Sequence, residues 1–399
     1  MSERGLRGAG TTDVDRVGIV GAGVMGRDLA ALFANAGFDV VLVDVDTDVL
    51  DTARSYLTTE APAAITDAGL VDAGLADGDL ADVGSADTAT GMDLPARVTF
   101  ATDLAALADC GFVVEAIRES LDAKRGLLAD LGAVLDTDAV VGTNTSSLTV
   151  ADVARASAHP ERVVLFHFAN PAIPRDLVEI SGDGAADWAL DRAERVARAI
   201  GKTPVRLHRE RRANGLSRLS AAIKCAGTWE LLDADPPAIA RGARAMGFPR
   251  GPLELIDVIG IDIHLATVDN LHDEYDGRFD PHPEIREHME RLVEAGHTGK
   301  KAGQGFFEWN EGEPVVPDGE AHDIQPVVAA LVSEAHRLVD DGVADRETVD
   351  EILKRGSGGD LGPFDIEAMV GGDTLRAVLE RRNAETGADV FRPADSLGE

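Results

Sequence analysis

Two groups of residues in this chain have the types and spacing to do chemistry. The first is Gly21-Ala22-Gly23-Val24-Met25-Gly26, set between a β-branched run, RVGIVG, and a stretch of small residues at helical spacing. The first glycine allows a tight turn, the second lets the backbone approach a pyrophosphate, and the third lets the helix pack closely on its strand. The helix N-terminus supplies a positive dipole end for a phosphate. Asp44 closes the next apolar run, FDVVLVD, where a carboxylate can bind both ribose hydroxyls. An acid there would repel a 2′-phosphate, so the cofactor expected is NAD rather than NADP.

The second group is Asn144-Thr145-Ser146-Ser147-Leu148, then Leu165-Phe166-His167-Phe168-Ala169-Asn170-Pro171, then Leu177-Val178-Glu179-Ile180. Taking hydride from a secondary alcohol requires a base for the hydroxyl proton, and an imidazole that titrates near neutrality suits that task. A carboxylate against the far ring nitrogen would fix the tautomer and stabilise the imidazolium. His167 ends one strand-like run and Glu179 lies in the next, so an antiparallel hairpin would bring them together. A lone histidine at a strand end is more often structural. The flanking Asn-Pro, the downstream Glu179 and the upstream Asn-Thr-Ser-Ser reverse that reading.

These residues need a frame. Further strand-like runs at 97–100, 112–117, 139–144, 162–168 and 177–180 alternate with helical segments. That alternation predicts a mostly parallel, doubly wound α/β domain of Rossmann type over 16–202. Residues 66–94 are rich in Ala, Gly and Asp without a firm pattern, and read as a helical excursion or a loose insertion. From about 203 the strand signal stops, which predicts an all-α domain over 203–310. The segment 311–323 is a linker by composition. The region 324–399 then repeats features of its predecessor. GPLELIDVIGIDI begins at Gly251 and GPFDIEAMVGGDT at Gly362, while AAIKCAGTWELLD resembles AALVSEAHRLVDD. It reads as a second, truncated copy of the helical unit. Residues 1–15 lack the apolar core of a signal peptide and are expected to be a disordered tail.

Composition narrows the function classes. Asp plus Glu number 71 against 38 Lys plus Arg, a net charge of −33. Six of the basic residues are lysine: Lys124, Lys202, Lys224, Lys300, Lys301 and Lys354. Such a surface repels itself at low salt. At molar salt the Debye length falls to about 3 Å and the penalty largely vanishes, so the composition reads as adaptation to a salt-rich cytoplasm. Nucleic acid is not an expected partner, because there is no basic patch to neutralise phosphates. No apolar run approaches the length that spans a bilayer. Cys110 and Cys225 make neither a disulfide framework nor a metal spacing, so a reducing cytoplasm and no metal are expected.

Taken together, these segments resemble the L-3-hydroxyacyl-CoA dehydrogenase family. The resemblance covers about 16–60 and 97–310. It is carried by GAGVMG, VVLVD, VVEAIRES, TNTSSL, HFANP, LVEI, GPLELIDVIGID and GKKAGQGFF, of which HFANP and TNTSSL together are far more specific than the glycines. It implies reversible NAD-dependent oxidation of an L-3-hydroxyacyl-CoA to the 3-ketoacyl-CoA. His167 would be general base and Glu179 its partner, with Ser146 near the substrate hydroxyl and nicotinamide, and Asn170 near the nicotinamide ribose. It also implies cofactor contacts for Glu119, Lys124 and Lys301. Read from the residues alone, Glu119 and Lys124 are an exposed pair at a helix start, and Lys301 is a solvated loop charge. Lys124 is nonetheless the only lysine before residue 202.

The chain departs from the family pattern in two places. Where the family has Gly-Phe-Ile-x-Asn-Arg-Leu, with an asparagine that helps orient the substrate carbonyl, this chain has Ala213-Asn214-Gly215-Leu216-Ser217-Arg218-Leu219. Either Ser217 takes over the polar contact, or Asn214 reaches in, or the contact is missing. Losing such a donor costs about 10²–10³ in rate. The second departure is 66–94, which carries no lysine or arginine where the family brings basic residues to coenzyme A. The arginines of RLHRERR (206–212) could substitute, or could be a solvated helix start. A dehydrogenase of a 3-hydroxy acid without coenzyme A, and a weakly catalytic cofactor binder, stay open beside the leading reading. In single-copy relatives the helical domain forms a dimer interface, which a second copy could fill internally. A monomer or a homodimer is expected.

Overall fold

The computed structural model describes residues 14–70 and 93–398. Most of the expected excursion over 66–94 and most of the expected tail therefore lie outside the described residues. The chain divides into two compact units, Met1–Arg211 with Lys354–Gly359, and Arg212–Leu353 with Asp360–Glu399.

The first unit is built on a single sheet. In chain order its elements are β1 (Arg16–Val20), α1 (Val24–Asn35), β2 (Asp39–Val43), α2 (Thr47–Thr59), α3 (Ala61–Asp67), β3 (Val98–Ala101) and β4 (Phe112–Glu115). They continue with α4 (Leu121–Val134), β5 (Val140–Thr143), α5 (Val150–Ala154), β6 (Val163–Phe168), β7 (Leu177–Ser181), α6 (Asp187–Ala199) and β8 (Thr203–Arg206). Eight strands order as β3-β2-β1-β4-β5-β6-β7-β8, parallel throughout except for the antiparallel pair β6–β7. Central parallel strands are covered on both faces, which is why β4 (FVVE), β5 (VVGT) and β6 (VVLFHF) are buried along their whole length. One core joins Ile19, Leu29, Leu32 and Phe33 to Phe112, Phe166 and Val178. Chain order reverses between β1 and β4, the switch point outside which open α/β sheets place their ligands.

β8 corrects the sequence reading, in which strand signal ended at 203. Thr203–Arg206 pairs in parallel with β7. The segment TPVR is four residues long and contains a proline, tolerated because this strand lies at the sheet edge. Its strand character comes from its partner rather than from its own pattern.

The second unit contains α7 (Leu216–Trp229), α8 (Pro236–Ala245), α9 (Pro252–Ile259), α10 (Ile261–His272) and α11 (Pro283–Glu294). A small hairpin of β9 (Trp309–Asn310) and β10 (Glu313–Pro314) follows, then α12 (Gln325–Asp340), α13 (Arg346–Ser357, of which the residues up to Leu353 count with this unit), α14 (Pro363–Val370) and α15 (Gly372–Thr386). The repeated sequences adopt repeated local geometry. α9 and α14 each start on a glycine N-cap with proline in the first turn. In each, an acid in the first turn accepts the glycine N–H: Gly251 to Glu254 at 2.6 Å and Gly362 to Asp365 at 2.9 Å. Each ends on a glycine of positive φ, Gly260 at 107° and Gly371 at 93°, which a side chain would strain.

α7 packs lengthwise on α12 around a buried charge cluster. Glu334 of α12 accepts from Arg218 of α7, and from Arg278 and Arg337 at 3.2 and 3.4 Å; Arg218 also meets Asp341 at 2.7 Å. Burial opposes ionisation of Glu334, but the three guanidiniums outweigh it and hold the carboxyl below its ordinary range. Among the described residues no helix is long and apolar enough to cross a membrane.

Candidate active site

The register of β6 and β7 sets the centre of the site. His167 stands directly opposite Glu179, and facing residues of an antiparallel pair bring their side chains together on one side of the sheet. The His167 Nδ1 to Glu179 Oε2 distance is 2.7 Å, with the histidine 5% exposed and the glutamate fully buried. A buried carboxylate at this distance keeps the proton on Nδ1 and leaves Nε2 as the acceptor. On that side stands the exposed Ser146, its Oγ 3.2 Å from Nε2. Ser146 lies in the loop after β5. Asn144 ties that loop to the end of β6 by accepting the Phe168 N–H at 2.9 Å.

The loop is shaped from below by Glu119. One of its oxygens accepts from Thr145 Oγ1 at 2.6 Å, from the Ser146 and Ser147 amides at 3.0 and 2.8 Å, and from Ser147 Oγ at 2.9 Å. Its other oxygen is 3.3 Å from Lys124 Nζ. Burial opposes the Glu119 charge, yet Lys124, Thr145 and Ser147 together lower its pKa below the carboxylate norm.

Lys124 overturns the reading of an exposed pair, because its side chain is 1% exposed. It lies 2.7 Å from Glu115, the fully buried acid that ends β4, and Glu115 also accepts from Thr143 Oγ1 at 2.5 Å and the Ile117 amide at 2.9 Å. A buried carboxylate requires a counter-charge, and the first turn of α4 supplies one. Glu115 and Thr143 were missed by the sequence reading, and Thr145 was read only as part of the Asn-Thr-Ser-Ser run. The available signal was an acid closing an otherwise apolar central strand, next to the switch point.

The glycine turn is a separate cluster in the same unit. Gly21 has φ of 101°, and a Cβ on Gly26 would lie 1.7 Å from the Gly21 carbonyl oxygen, so that helix and strand touch only because residue 26 has no side chain. Gly23 borders open space, and no side chain caps α1. Asp44 accepts the Ala22 amide at 2.8 Å and the Asp46 amide at 3.0 Å, fixing the turn to the end of β2. Asn170 is exposed and precedes a cis peptide bond to Pro171.

The remaining residues singled out from the sequence belong to the second unit. Ser217 is half-buried in the first turn of α7, and Lys301 is exposed in the short turn Lys300–Ala302. Asn214 is buried, with neither atom of its side-chain amide partnered among the described residues. Asp257 holds the GKKAGQGFF turn, accepting from the Phe306 and Phe307 amides at 2.9 and 3.0 Å and from Trp309 Nε1 at 2.9 Å. In RLHRERR, whose residues up to Arg211 lie in the first unit, Arg206 ends β8 and pairs with Asp187, Asp191 and Glu194.

The sequence description of the 3-hydroxyacyl-CoA dehydrogenase NAD binding domain matches residues 16–211, and that of the C-terminal domain matches 219–309 and 324–398. The chain belongs to the 3-hydroxyacyl-CoA dehydrogenase family. It is 33% identical over 306 residues to a probable 3-hydroxybutyryl-CoA dehydrogenase of Deinococcus radiodurans, covering 74% of this chain and all of that protein. It is also 33% identical over 313 residues to the 3-hydroxybutyryl-CoA dehydrogenase of Bradyrhizobium diazoefficiens, covering 76% and 98% of the two chains. The crystal structure of the Escherichia coli K12 3-hydroxybutyryl-CoA dehydrogenase shares the fold, with a TM-score of 0.78, 24% identity, and coverage of 96% of this chain and 98% of that one. The chain is thus an NAD-dependent oxidoreductase of the 3-hydroxyacyl-CoA dehydrogenase family. Its first unit fits that cofactor: open space over Gly23, an uncapped helix start for the pyrophosphate, and a half-exposed Asp44 for the ribose.

Proposed function

We propose that the protein oxidises L-3-hydroxyacyl-CoA thioesters reversibly, with His167 as general base. The observation that carries this reading is the placement of His167, held at Nδ1 by a buried carboxylate and open at Nε2 beside an exposed serine hydroxyl. Nε2 accepts the proton of the C3 hydroxyl as the C3–H bond breaks. Glu179 keeps the ring in its acceptor tautomer and stabilises the imidazolium. Ser146 donates to the substrate oxygen from the Nε2 side. NAD, when bound, supplies the acceptor for the hydride released from C3. Asn170, Glu119 and Lys124 belong to the cofactor side of the site; Glu119 also holds the Ser146 loop in place. Lys301 of the second unit is a further cofactor contact, and Ser217 takes the polar contact to the substrate carbonyl.

Asp44→Ala weakens NAD binding by roughly 10- to 100-fold, the loss that accompanies removal of a charge-assisted hydrogen bond. Fluorescence titration with NADH measures it. Unchanged affinity would remove Asp44 from the ribose site.

The decisive assay is NADH appearance at high KCl with L-3-hydroxybutyryl-CoA, and with free 3-hydroxybutyrate as control. Turnover of the thioester alone is the expected result. Turnover of the free acid alone would favour the second reading, a dehydrogenase of a 3-hydroxy acid without coenzyme A, which the acid-only segment 66–94 keeps alive. The high KCl follows from reading the −33 charge as adaptation to a salt-rich cytoplasm. We read 324–399 as a truncated second copy of the helical unit, a reading supported by the matching ends of α9 and α14. Its packing of α12 on α7 favours a monomer.

A further inference from the structure

Two buried polar side chains of the second unit are used by nothing described above. Lys224, on α7, is 7% exposed and makes no hydrogen bond or ion pair among the described residues. Burial alone pushes its ammonium down to about 8. His264, on α10, is 2% exposed, and both of its ring nitrogens are buried without a partner among the described residues. Burial, and after it the Lys224 charge, push the imidazole down to about 3, so it is neutral at physiological pH and the ammonium is its near neighbour.

Packing does not demand this pair. The second copy of the repeat serves as an internal control: aligning AAIKCAGTWELLD with AALVSEAHRLVDD sets Val332 opposite Lys224, and aligning the two Gly-Pro segments sets Leu375 opposite His264. Both are buried apolar residues, so the same helical arrangement closes with aliphatic side chains. A buried ammonium without a counter-charge costs stability. This chain has six lysines among 38 basic residues and nonetheless keeps one here.

The location is informative. Lys224 lies seven residues beyond Ser217 on the same face of α7, about 10 Å along the axis, and helical side chains lean back toward the N-terminus. The ammonium is therefore directed along the stripe that begins at Ser217, at a separation that an acyl chain a few carbons beyond C3 would span.

We propose that Lys224 and His264 form a carboxylate-binding subsite that selects 3-hydroxyacyl substrates whose chain ends in a second carboxylate. This rests on the thioester-dehydrogenase reading and on Ser217 at the substrate carbonyl. The ammonium donates to one carboxylate oxygen and the neutral imidazole N–H to the other, so the arriving anion neutralises the buried charge and satisfies the orphaned ring.

The test compares 3-hydroxyadipyl-CoA with 3-hydroxyhexanoyl-CoA, thioesters of equal chain length with and without the terminal carboxylate. The parent enzyme has the higher kcat/KM for the adipyl thioester. Lys224→Met lowers the adipyl-to-hexanoyl ratio of kcat/KM by roughly 10- to 100-fold, and His264→Leu lowers it in the same direction. A parent that prefers the hexanoyl thioester, or a ratio that neither variant moves, overturns the proposal. If neither thioester is oxidised, calorimetric titration of the NAD-loaded protein with free adipate decides. Adipate binding that Lys224→Met abolishes leaves the subsite standing while the thioester reading falls. Binding that is absent, or equal in parent and variant, overturns the subsite as well.

Discussion

Replacing His167 by glutamine lowers kcat by about 10²–10⁴-fold, the range that a positioned general base contributes. NAD affinity stays close to that of the parent, because His167 bonds Glu179 and Ser146, whereas the glycine turn and Asp44 form a different cluster. Steady-state kinetics at saturating NAD, paired with an NADH titration, read the two quantities separately. A variant that turns over as fast as the parent would show that another group takes the proton. Glu179→Gln tests the same assignment from behind the ring. Its amide offers Nδ1 no fixed charge and can present either a donor or an acceptor, so the tautomer loses its constraint. A rate loss with unchanged NAD affinity is expected there too.

The largest expected change in stability is at Glu334, which the guanidiniums of Arg218, Arg278 and Arg337 surround in the second unit. Glu334→Ala removes the carboxylate that the three guanidiniums share and leaves Arg218 with Asp341 alone, and breaking a buried pair in this way costs about 3–5 kcal/mol. For a unit of this size that corresponds to a fall in melting temperature on the order of 10 °C. Thermal and urea unfolding, both at high salt, measure it. The exposed pair Arg291–Glu287, at 3.8 Å, is the control. Its removal costs less than about 1 kcal/mol, and salt screens what little it contributes. A Glu334 variant that melts with the control would mean that the cluster is no stronger than a surface pair.

The Rossmann-type first unit, its glycine turn and the NAD preference were all legible in the residues, because each rests on local spacing. The glycine at positive φ, the apolar runs of strand length and the acid at the strand end all lie within one consecutive strand–helix–strand unit, from Arg16 to Asp44. The pairing of His167 with Glu179 was legible for a related reason. Two strand-like runs joined by a short connection have few ways to meet other than antiparallel, and a period of two along each strand then sets which side chains face one another.

What depends on non-adjacent segments was not legible. TPVR became β8 only because β7 offered it an edge to pair with. Lys124 looked like a surface charge until Glu115, nine residues earlier and fully buried at the end of β4, was seen to claim it. Lys224 and His264 sit in apolar helical patterns, and no spacing rule says which polar residue in such a pattern finds a partner. Partnering of a buried polar group is decided by every element that packs over it, and those elements come from across the second unit. The sequence by itself determined the family chemistry and the cofactor. The tertiary structure alone decided which charges are paired, and therefore which of them remain available to a substrate.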